Sequence, residues 1–239
     1  MIEINEKERR ISENLKNINE RIAEAAIKAG RTSETVKLIA VTKTVGCDEV
    51  RYAINAGQRD FAENRVQMLG DKLTGLSDID GSGIDLNWHL IGHLQTNKVK
   101  YCADKVCLIH SLDRISLAEE ISRFAVKHKI DVHCLLQLNV SGEESKSGLS
   151  PEEINVFLEQ FAALEHIYID GLMTMAPFGA EEKFLRRIFA QTREIGIDIS
   201  RQKVHNIRIA ELSMGMSGDF EAAILEGATM VRIGTAIFC

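Results

Sequence analysis

The sequence predicts an α/β fold, a single (β/α)₈ TIM barrel preceded by one extra helix. Eight short β-like segments follow one another from Lys37 to the C-terminus, and helical segments lie between them. The 239 residues suit such a barrel, whose usual size is about 250 residues. A doubly wound open sheet is the main alternative, but no Gly-x-Gly-x-x-Gly fingerprint follows the first strand. The barrel is therefore the preferred prediction.

The predicted elements alternate in type along the chain. Apolar residues at steps of three and four predict a helix over residues 5–29, which closes one end of the core or forms a coiled-coil arm. The predicted strands are residues 38–41, 59–62, 87–94, 106–110, 132–140, 167–175, 207–212 and 230–233. The predicted later helices are residues 48–55, 66–73, 96–102, 113–128, 181–195 and 219–226, with one more opening at Pro151. Residues 1–239 are predicted to form one barrel domain, with the helix within 1–30 and the barrel within 36–239.

Composition limits the class of protein. Hydrophobic residues make up 45% and charged residues 27% of the chain, and no stretch approaches the ~20 apolar residues that cross a bilayer. The charged N-terminus lacks the apolar core of a secretion signal, so the sequence predicts a soluble cytoplasmic protein without a membrane partner. The net charge of -6 argues against a broad nucleic-acid surface. The five scattered cysteines indicate neither a disulfide framework nor a thiolate zinc site.

Lys43 follows the first predicted strand. That strand is nearly all apolar, which is typical of a strand covered on both faces. An amine at the exit of such a strand is partly stripped of water, which lowers its pKa and makes it a better nucleophile toward an aldehyde. The alternative is a lysine that simply extends from a strand end into water. The surrounding residues must decide between the two.

Two later loops have the features of a phosphate site. Residues 213–221 read Ser-Met-Gly-Met-Ser-Gly-Asp-Phe-Glu, and their small side chains let backbone N–H groups approach an anion. Residues 232–235 follow the eighth strand, and barrel closure places that strand beside the first. A reactive Lys43, a phosphate site and Arg232 at one mouth suggest a phosphorylated aldehyde held as a Schiff base, which pyridoxal 5′-phosphate (PLP) fits. Alternatively, Ser217 simply caps a helix and Arg232 is a structural charge.

Several segments resemble the YggS/PROSC family of pyridoxal phosphate homeostasis proteins. The similarity spans residues 38 to 238 and is carried by residues 40–44 (Ala-Val-Thr-Lys-Thr), 61–65 (Phe-Ala-Glu-Asn-Arg), 88–98, 142–149, 171–176, 212–217 and 231–238. The chain departs from the family at Gly218, where an acidic residue is common, and at Cys239, where a glycine often ends the chain. So many matching segments in the same order argue against a chance similarity.

The resemblance implies a barrel like the N-terminal domain of bacterial alanine racemase, with PLP on Lys43. It implies phosphate contacts at Ser213, the backbone after it, Gly234 and Thr235, and an arginine, Arg232, near the pyridine nitrogen. Pocket lining is predicted for His89 or Asn64, which otherwise satisfy backbone groups, and for Met175, which otherwise packs. The predicted cofactor-binding set is Lys43, Asn64, His89, Met175, Ser213, Met214, Gly215, Ser217, Arg232, Gly234 and Thr235, with no catalytic residue.

The resemblance also implies binding without robust turnover. A guanidinium stays protonated, so Arg232 would keep the pyridine nitrogen unprotonated and weaken the ring as an electron sink. The tyrosine that alanine racemase supplies from its second domain has no obvious replacement in this chain. The predicted function is a carrier or regulator in PLP, vitamin B6 and amino-acid homeostasis, with PLP-requiring apoenzymes as candidate partners and a monomer or weak dimer as its state. The alternatives are a PLP-dependent racemase of small amino acids and a cofactor-free Schiff-base aldolase.

Three further features carry weaker interpretations. His89 and His93 have a zinc-like spacing only if they lie on a helix, and their apolar neighbours favour a strand, so no metal is predicted. Lys98, Lys100 and Lys105 are spaced like a solvated face, and a surface for cofactor hand-over or a basic partner patch is the alternative. Lys146 lies in a Gly/Ser-rich loop and receives no assigned role.

Overall fold

The computed structural model describes residues 6–79, 83–143 and 147–239. Eight parallel strands close into a barrel in chain order, and β8 pairs with β1. The strands are β1 Lys37–Val41, β2 Asp60–Glu63, β3 Asn87–Leu90, β4 Leu108–Leu112, β5 Val132–Leu138, β6 Ile167–Thr174, β7 Ile207–Ser213 and β8 Met230–Ile233. The predicted barrel is confirmed. Lys146 and part of the 142–149 segment lie outside the described residues.

The helices lie outside the strands. They are α1 Glu6–Lys28, α2 Cys47–Asn55, α3 Val66–Gly75, α4 Ile115–His128, α5 Ile154–Phe161, α6 Glu182–Arg201, α7 Phe220–Leu225 and α8 Thr235–Phe238, with 3₁₀ turns at Ser33–Thr35, Thr96–Tyr101 and Pro151–Glu153. The predicted extra helix is α1, and its apolar stripe of Ile11, Leu15, Ile18 and Ile22 is buried in the main core. The coiled-coil alternative is therefore not needed. Within the described ranges, none of the helices has the length and apolar character that crossing a bilayer requires.

Several element boundaries differ from the prediction by a few residues, and close packing at a glycine accompanies two of the differences. β3 ends at Leu90 rather than at residue 94, and a Cβ at Gly92 would lie only 2.0 Å from the carbonyl oxygen of Asn64. α6 runs through Gly196 to Arg201, although the sequence suggested a stop at residue 195. A Cβ at Gly196 would lie 3.0 Å from Ile209 Cγ2, so this glycine serves helix packing rather than helix termination.

The barrel interior has its own apolar cluster, separate from the layer between strands and helices. It consists of Ile39, Val41, Ala62, Leu108, Leu135, Met173 and Met230, and the partly buried Ile91 and Met175 pack against it. Side chains alternate between the two faces of a strand. Ile39 and Val41 both face the interior, and Lys43 follows two residues after Val41, beyond the end of β1.

Candidate functional site

Lys43 lies just beyond the C-terminal end of β1, at the mouth of the barrel. Its side chain is exposed. The partial loss of water that we expected for this amine is therefore not found in the structure. Exposure leaves the amine accessible to a ligand that enters from the mouth.

A buried ion pair holds the backbone immediately before Lys43. Lys72 Nζ, on α3, donates to Glu63 Oε1 at 2.5 Å and to the carbonyl oxygen of Thr42 at 2.9 Å. The Thr42 hydroxyl donates to Glu63 Oε1 at 2.7 Å, and all three residues are buried. Glu63 Oε2 has no hydrogen-bond partner among the described residues. Since buried charges are costly unless they are bonded, this pair tightly constrains the exit of β1.

Arg232 extends from β8 with its guanidinium inside the barrel. Its Nη1 donates to the carbonyl oxygen and to the hydroxyl of Ser213, both at 2.6 Å, and its Nη2 donates to the Thr174 carbonyl at 2.9 Å. A guanidinium carries more N–H donors than these three bonds use. Burial lowers the pKa of Arg232 to about 10, and the charge of Asp219 opposes that shift. The side chain thus stays protonated near neutral pH and can donate to a further acceptor.

Glycines bring the loops after β7 and β8 close to their neighbours. Gly215 has a φ of +91°, and a Cβ there would lie 2.8 Å from Phe220 Cα. A Cβ at Gly234 would lie 2.9 Å from the carbonyl oxygen of Val41, two residues before Lys43. The Arg232 backbone N–H donates to the Gly215 carbonyl at 3.0 Å, so the two loops and the end of β1 meet at one side of the mouth, as the sequence predicted.

Existing hydrogen bonds at the end of β7 reduce the number of groups that can contact a phosphate. The Met214 N–H already donates to the Met230 carbonyl at 3.1 Å, and the Met214 side chain is buried. The Ser213 hydroxyl is directed inward to Arg232. The predicted use of these two groups for phosphate conflicts with those bonds, because a donor or hydroxyl already paired in the interior is not presented to the loop. Gly215, Ser217, Gly234 and Thr235 stay candidates.

The start of α7 also differs from the helix-cap alternative. The N-cap residue is Asp219 rather than Ser217, and Asp219 Oδ1 accepts a hydrogen bond from the Met216 N–H at 2.5 Å. Burial raises the pKa of Asp219, although that hydrogen bond and the charge of Arg232 lower it. α7 and α8 are six and four residues long. Anion binding at this side must therefore depend on loop N–H and hydroxyl groups more than on aligned helix dipoles.

His89 is buried inside the barrel rather than exposed at the mouth, and its lining of the cofactor pocket stays a prediction. Its side chain is 1% exposed, with Nδ1 3.0 Å from His110 Nε2 and Nε2 3.4 Å from Asp60 Oδ1. Asp60 is the first residue of β2, whereas the backbone of His89 pairs with Ala62, which pairs with Val41 at the end of β1. Sequence reasoning missed His110, although the period of β4 places residues 108 and 110 on one face. Ile91, just beyond the end of β3, packs against the interior cluster.

The other predicted positions surround the mouth. Asn64 directly follows β2, is half-buried, and contacts Gly92 through its backbone. Met175 directly follows β6 and packs on the interior cluster. Lys98 and Lys100 place their ammonium groups 5.5 and 5.0 Å from the ring centre of Tyr101. Among the described residues, no group of His, Cys, Asp and Glu side chains could hold a metal ion.

Comparison with known proteins gives consistent matches. The family profile described as alanine racemase, N-terminal domain, matches residues 11–239. A pyridoxal phosphate homeostasis protein from Aquifex aeolicus is 44% identical over 226 residues, which cover 95% of this chain and 96% of the relative. A protein of that name from Pseudomonas aeruginosa is 42% identical over 228 residues, covering 95% of this chain and 94% of the relative.

The similarity extends to a solved structure with a bound ligand. PipY of Synechococcus elongatus, solved with PLP bound, has a TM-score of 0.84 and 35% identity. The match covers 96% of this chain and 100% of PipY. The similarity therefore holds for the whole barrel rather than for isolated motifs.

Proposed function

Because this chain belongs to the family of pyridoxal phosphate homeostasis proteins, built on the alanine racemase N-terminal domain, we propose that it binds PLP as a Schiff base on Lys43. The observation that carries the proposal is the meeting of three features at one mouth: the exposed amine of Lys43, the spare donors of Arg232, and the loops at Gly215 and Gly234. The PLP bound to PipY supports the choice of cofactor.

Each part of PLP has suitable residues in this chain. Lys43, once its ammonium has lost a proton, supplies an amine that forms a C=N bond with the aldehyde carbon. The two amine hydrogens and the aldehyde oxygen leave as one water, so the atoms balance. Arg232 directs its spare donors to the pyridine nitrogen. Gly215, Ser217, Gly234 and Thr235 bind the phosphate, and Asn64 and Met175 line the ring.

We propose binding and supply of the cofactor without robust turnover. Bound PLP supplies an electron sink whose strength depends on protonation of its pyridine nitrogen. Arg232 carries a proton itself and cannot give it up readily, so it leaves that nitrogen unprotonated. Tyr52 packs on the outer core in α2, Tyr101 lies beside Lys98 and Lys100, and Tyr168 stacks on His133 near the start of β6. These positions support the absence of a tyrosine acid or base at the mouth.

The proposed setting is the cytoplasm, with PLP-requiring apoenzymes as recipients. All five cysteines are free, which suits a reducing compartment. We propose a monomer, because the apolar stripe of α1 is already buried within its own chain.

A titration with PLP tests the proposal. The wild-type protein and a Lys105→Ala control should develop a visible absorption band, whereas Lys43→Ala should develop none. Incubation with L-alanine and L-serine should yield no D-isomer at rates near the usual enzymatic range of about 1–1000 s⁻¹. An unchanged band in Lys43→Ala would refute the attachment site, and turnover in that range would favour the racemase alternative.

A further inference from the structure

Buried polar side chains form a continuous series through the barrel interior, from Arg232 near the mouth to Asp60 at the opposite end. Arg232 Nη1 lies 2.6 Å from the hydroxyl of Ser213. That hydroxyl lies 2.9 Å from His110 Nδ1, and His110 Nε2 lies 3.0 Å from His89 Nδ1. His89 Nε2 lies 3.4 Å from Asp60 Oδ1. We call this series of five side chains, from Arg232 to Asp60, the interior chain.

The chemistry of its two ends agrees with one direction for every bond. Arg232 can only donate, so the Ser213 hydroxyl accepts from it and can direct its own hydrogen to His110 Nδ1. In that order His110 Nδ1 is unprotonated, and the proton of the ring is on Nε2, which donates to His89 Nδ1. By the same reasoning His89 carries its proton on Nε2 and donates to Asp60. A carboxylate at the end of the interior chain accepts that last hydrogen.

The charges around the interior chain agree with this order. Burial is the main reason that the pKa of His110 lies well below its ordinary value, and the charges of Arg232 and Lys37 act in the same direction, as a charge on His89 would. The ring is therefore neutral, as the order requires. Burial raises the pKa of Asp60, but the hydrogen bond from His89 and the charge of Lys37 outweigh it and leave that pKa below its ordinary value. Asp60 is thus ionised and accepts hydrogen bonds.

Apolar packing alone does not account for these residues. TIM-barrel interiors are usually filled by branched apolar side chains, and buried polar groups are unfavourable unless they are bonded. Cys107 Sγ also lies 3.5 Å from His89 Nε2. That thiol donates its hydrogen to the Trp88 carbonyl at 3.2 Å, so it does not donate to His89. In the order given above, every member of the interior chain is bonded.

We propose that His110 and Ser213 are positioning residues that fix the orientation of the Arg232 guanidinium, and that His89 and Asp60 lock them in place. Two nitrogens of Arg232 donate to backbone carbonyls, Nη1 to that of Ser213 and Nη2 to that of Thr174. The hydroxyl of Ser213 adds a third bond whose direction depends on His110. With its plane fixed in this way, Arg232 presents its spare donors to one place. The inference rests on the proposed function, since the acceptor at that place is the pyridine nitrogen.

Nitrogen NMR of the histidines, in protein without added PLP, tests the proton order. We expect both His89 and His110 to be neutral, with Nε2 protonated and Nδ1 unprotonated. A proton on His110 Nδ1, or a charged His110 ring at neutral pH, would overturn the proposal. This readout does not depend on cofactor binding, so it separates failure of the interior chain from failure of the proposed function.

Variants of the loaded protein test the positioning role. His110→Phe keeps the ring and removes its hydrogen bonds, and Ser213→Ala provides a second variant if His110→Phe does not fold. Each should weaken PLP binding about tenfold and shift the position of the visible band. The matched control is Ser122→Ala, which removes a buried hydroxyl bonded to the Glu165 carbonyl at 2.7 Å. It should lower the Tm but leave the dissociation constant and the band unchanged.

The outcomes distinguish failure of the positioning role from failure of the proposed function. Unchanged affinity and an unchanged band in a folded His110→Phe or Ser213→Ala variant would overturn the positioning role. Changes of equal size in Ser122→Ala would also overturn it, because they would trace the effect to lost stability. A wild-type protein that takes up no PLP would instead refute the proposed function, and the positioning role with it, whatever the tautomers.

Discussion

The ammonium of Lys72 donates a hydrogen bond of 2.9 Å to the backbone carbonyl of Thr42, the residue before Lys43. This bond connects a buried ion pair on the outside of the barrel to the position of the amine at its mouth. The pair itself is weak evidence of stability, because desolvation offsets much of its attraction. Its placement beside the exit of β1 indicates that it serves to fix that backbone.

Breaking this pair on one side should be strongly destabilising. Lys72→Met leaves the Glu63 carboxylate buried without its partner, and we expect a loss of about 3–5 kcal/mol in the free energy of unfolding, measured in urea. The double variant Lys72→Met/Glu63→Leu should recover most of that loss, because it buries no unpaired charge. Lys127→Met, at an exposed position of α4, should change the free energy by less than about 0.5 kcal/mol. A nearly neutral Lys72→Met would contradict the assigned contacts.

Gly234 should tolerate no side chain if the last loop must lie against β1. In Gly234→Ala the new Cβ would meet the Val41 carbonyl oxygen at 2.9 Å, so the loop must shift away from Lys43. Overpacking of this kind typically costs about 1–3 kcal/mol, and we expect at least a tenfold weaker affinity for PLP, measured by absorbance titration. Gly218→Ala is the control, since nothing lies within 4 Å of its Cβ position. Equal affinities of the two variants would exclude close packing as the role of Gly234.

Stability should fall with decreasing pH because His110 resists protonation. Its pKa in the folded protein lies well below the unfolded value of about 6.5, so below pH 6.5 the unfolded state binds more protons. The stabilisation is complete above about pH 6.5 and decreases as the pH falls toward the folded value. Between pH 7 and pH 5.5 we expect this residue to contribute a loss of about 1 kcal/mol. Urea unfolding of wild type and His110→Gln checks this, and identical pH dependence would show that His110 titrates normally.

Replacement of Arg232 should change the chemistry of bound PLP. Arg232→Glu places a carboxylate where the spare donors were, which favours a protonated pyridine nitrogen and a stronger electron sink. We expect a shifted visible band and measurable reaction with L-alanine. Arg187→Glu, at an exposed position of α6, should leave both unchanged. An unaltered band and reactivity in Arg232→Glu would remove Arg232 as the partner of that nitrogen.

The sequence predicted the parts of the site that depend on strand periodicity and on the order of strands around the barrel. Strand periodicity and barrel closure placed Lys43, Arg232 and Gly234 correctly at one mouth. It did not predict that Lys72 and Glu63 are buried together, because each looks like an ordinary surface charge until α3 is packed over β1 and β2. His110 was missed for a similar reason. Which polar side chains meet inside a barrel depends on the register between strands, and this register is not encoded locally.

The attachment point of the cofactor is the most direct test of this account. Protein loaded with PLP and reduced with borohydride should yield, by peptide mass spectrometry, one pyridoxyl group on Lys43. A pyridoxyl group on another lysine such as Lys98 or Lys105, or no modified peptide at all, would contradict it.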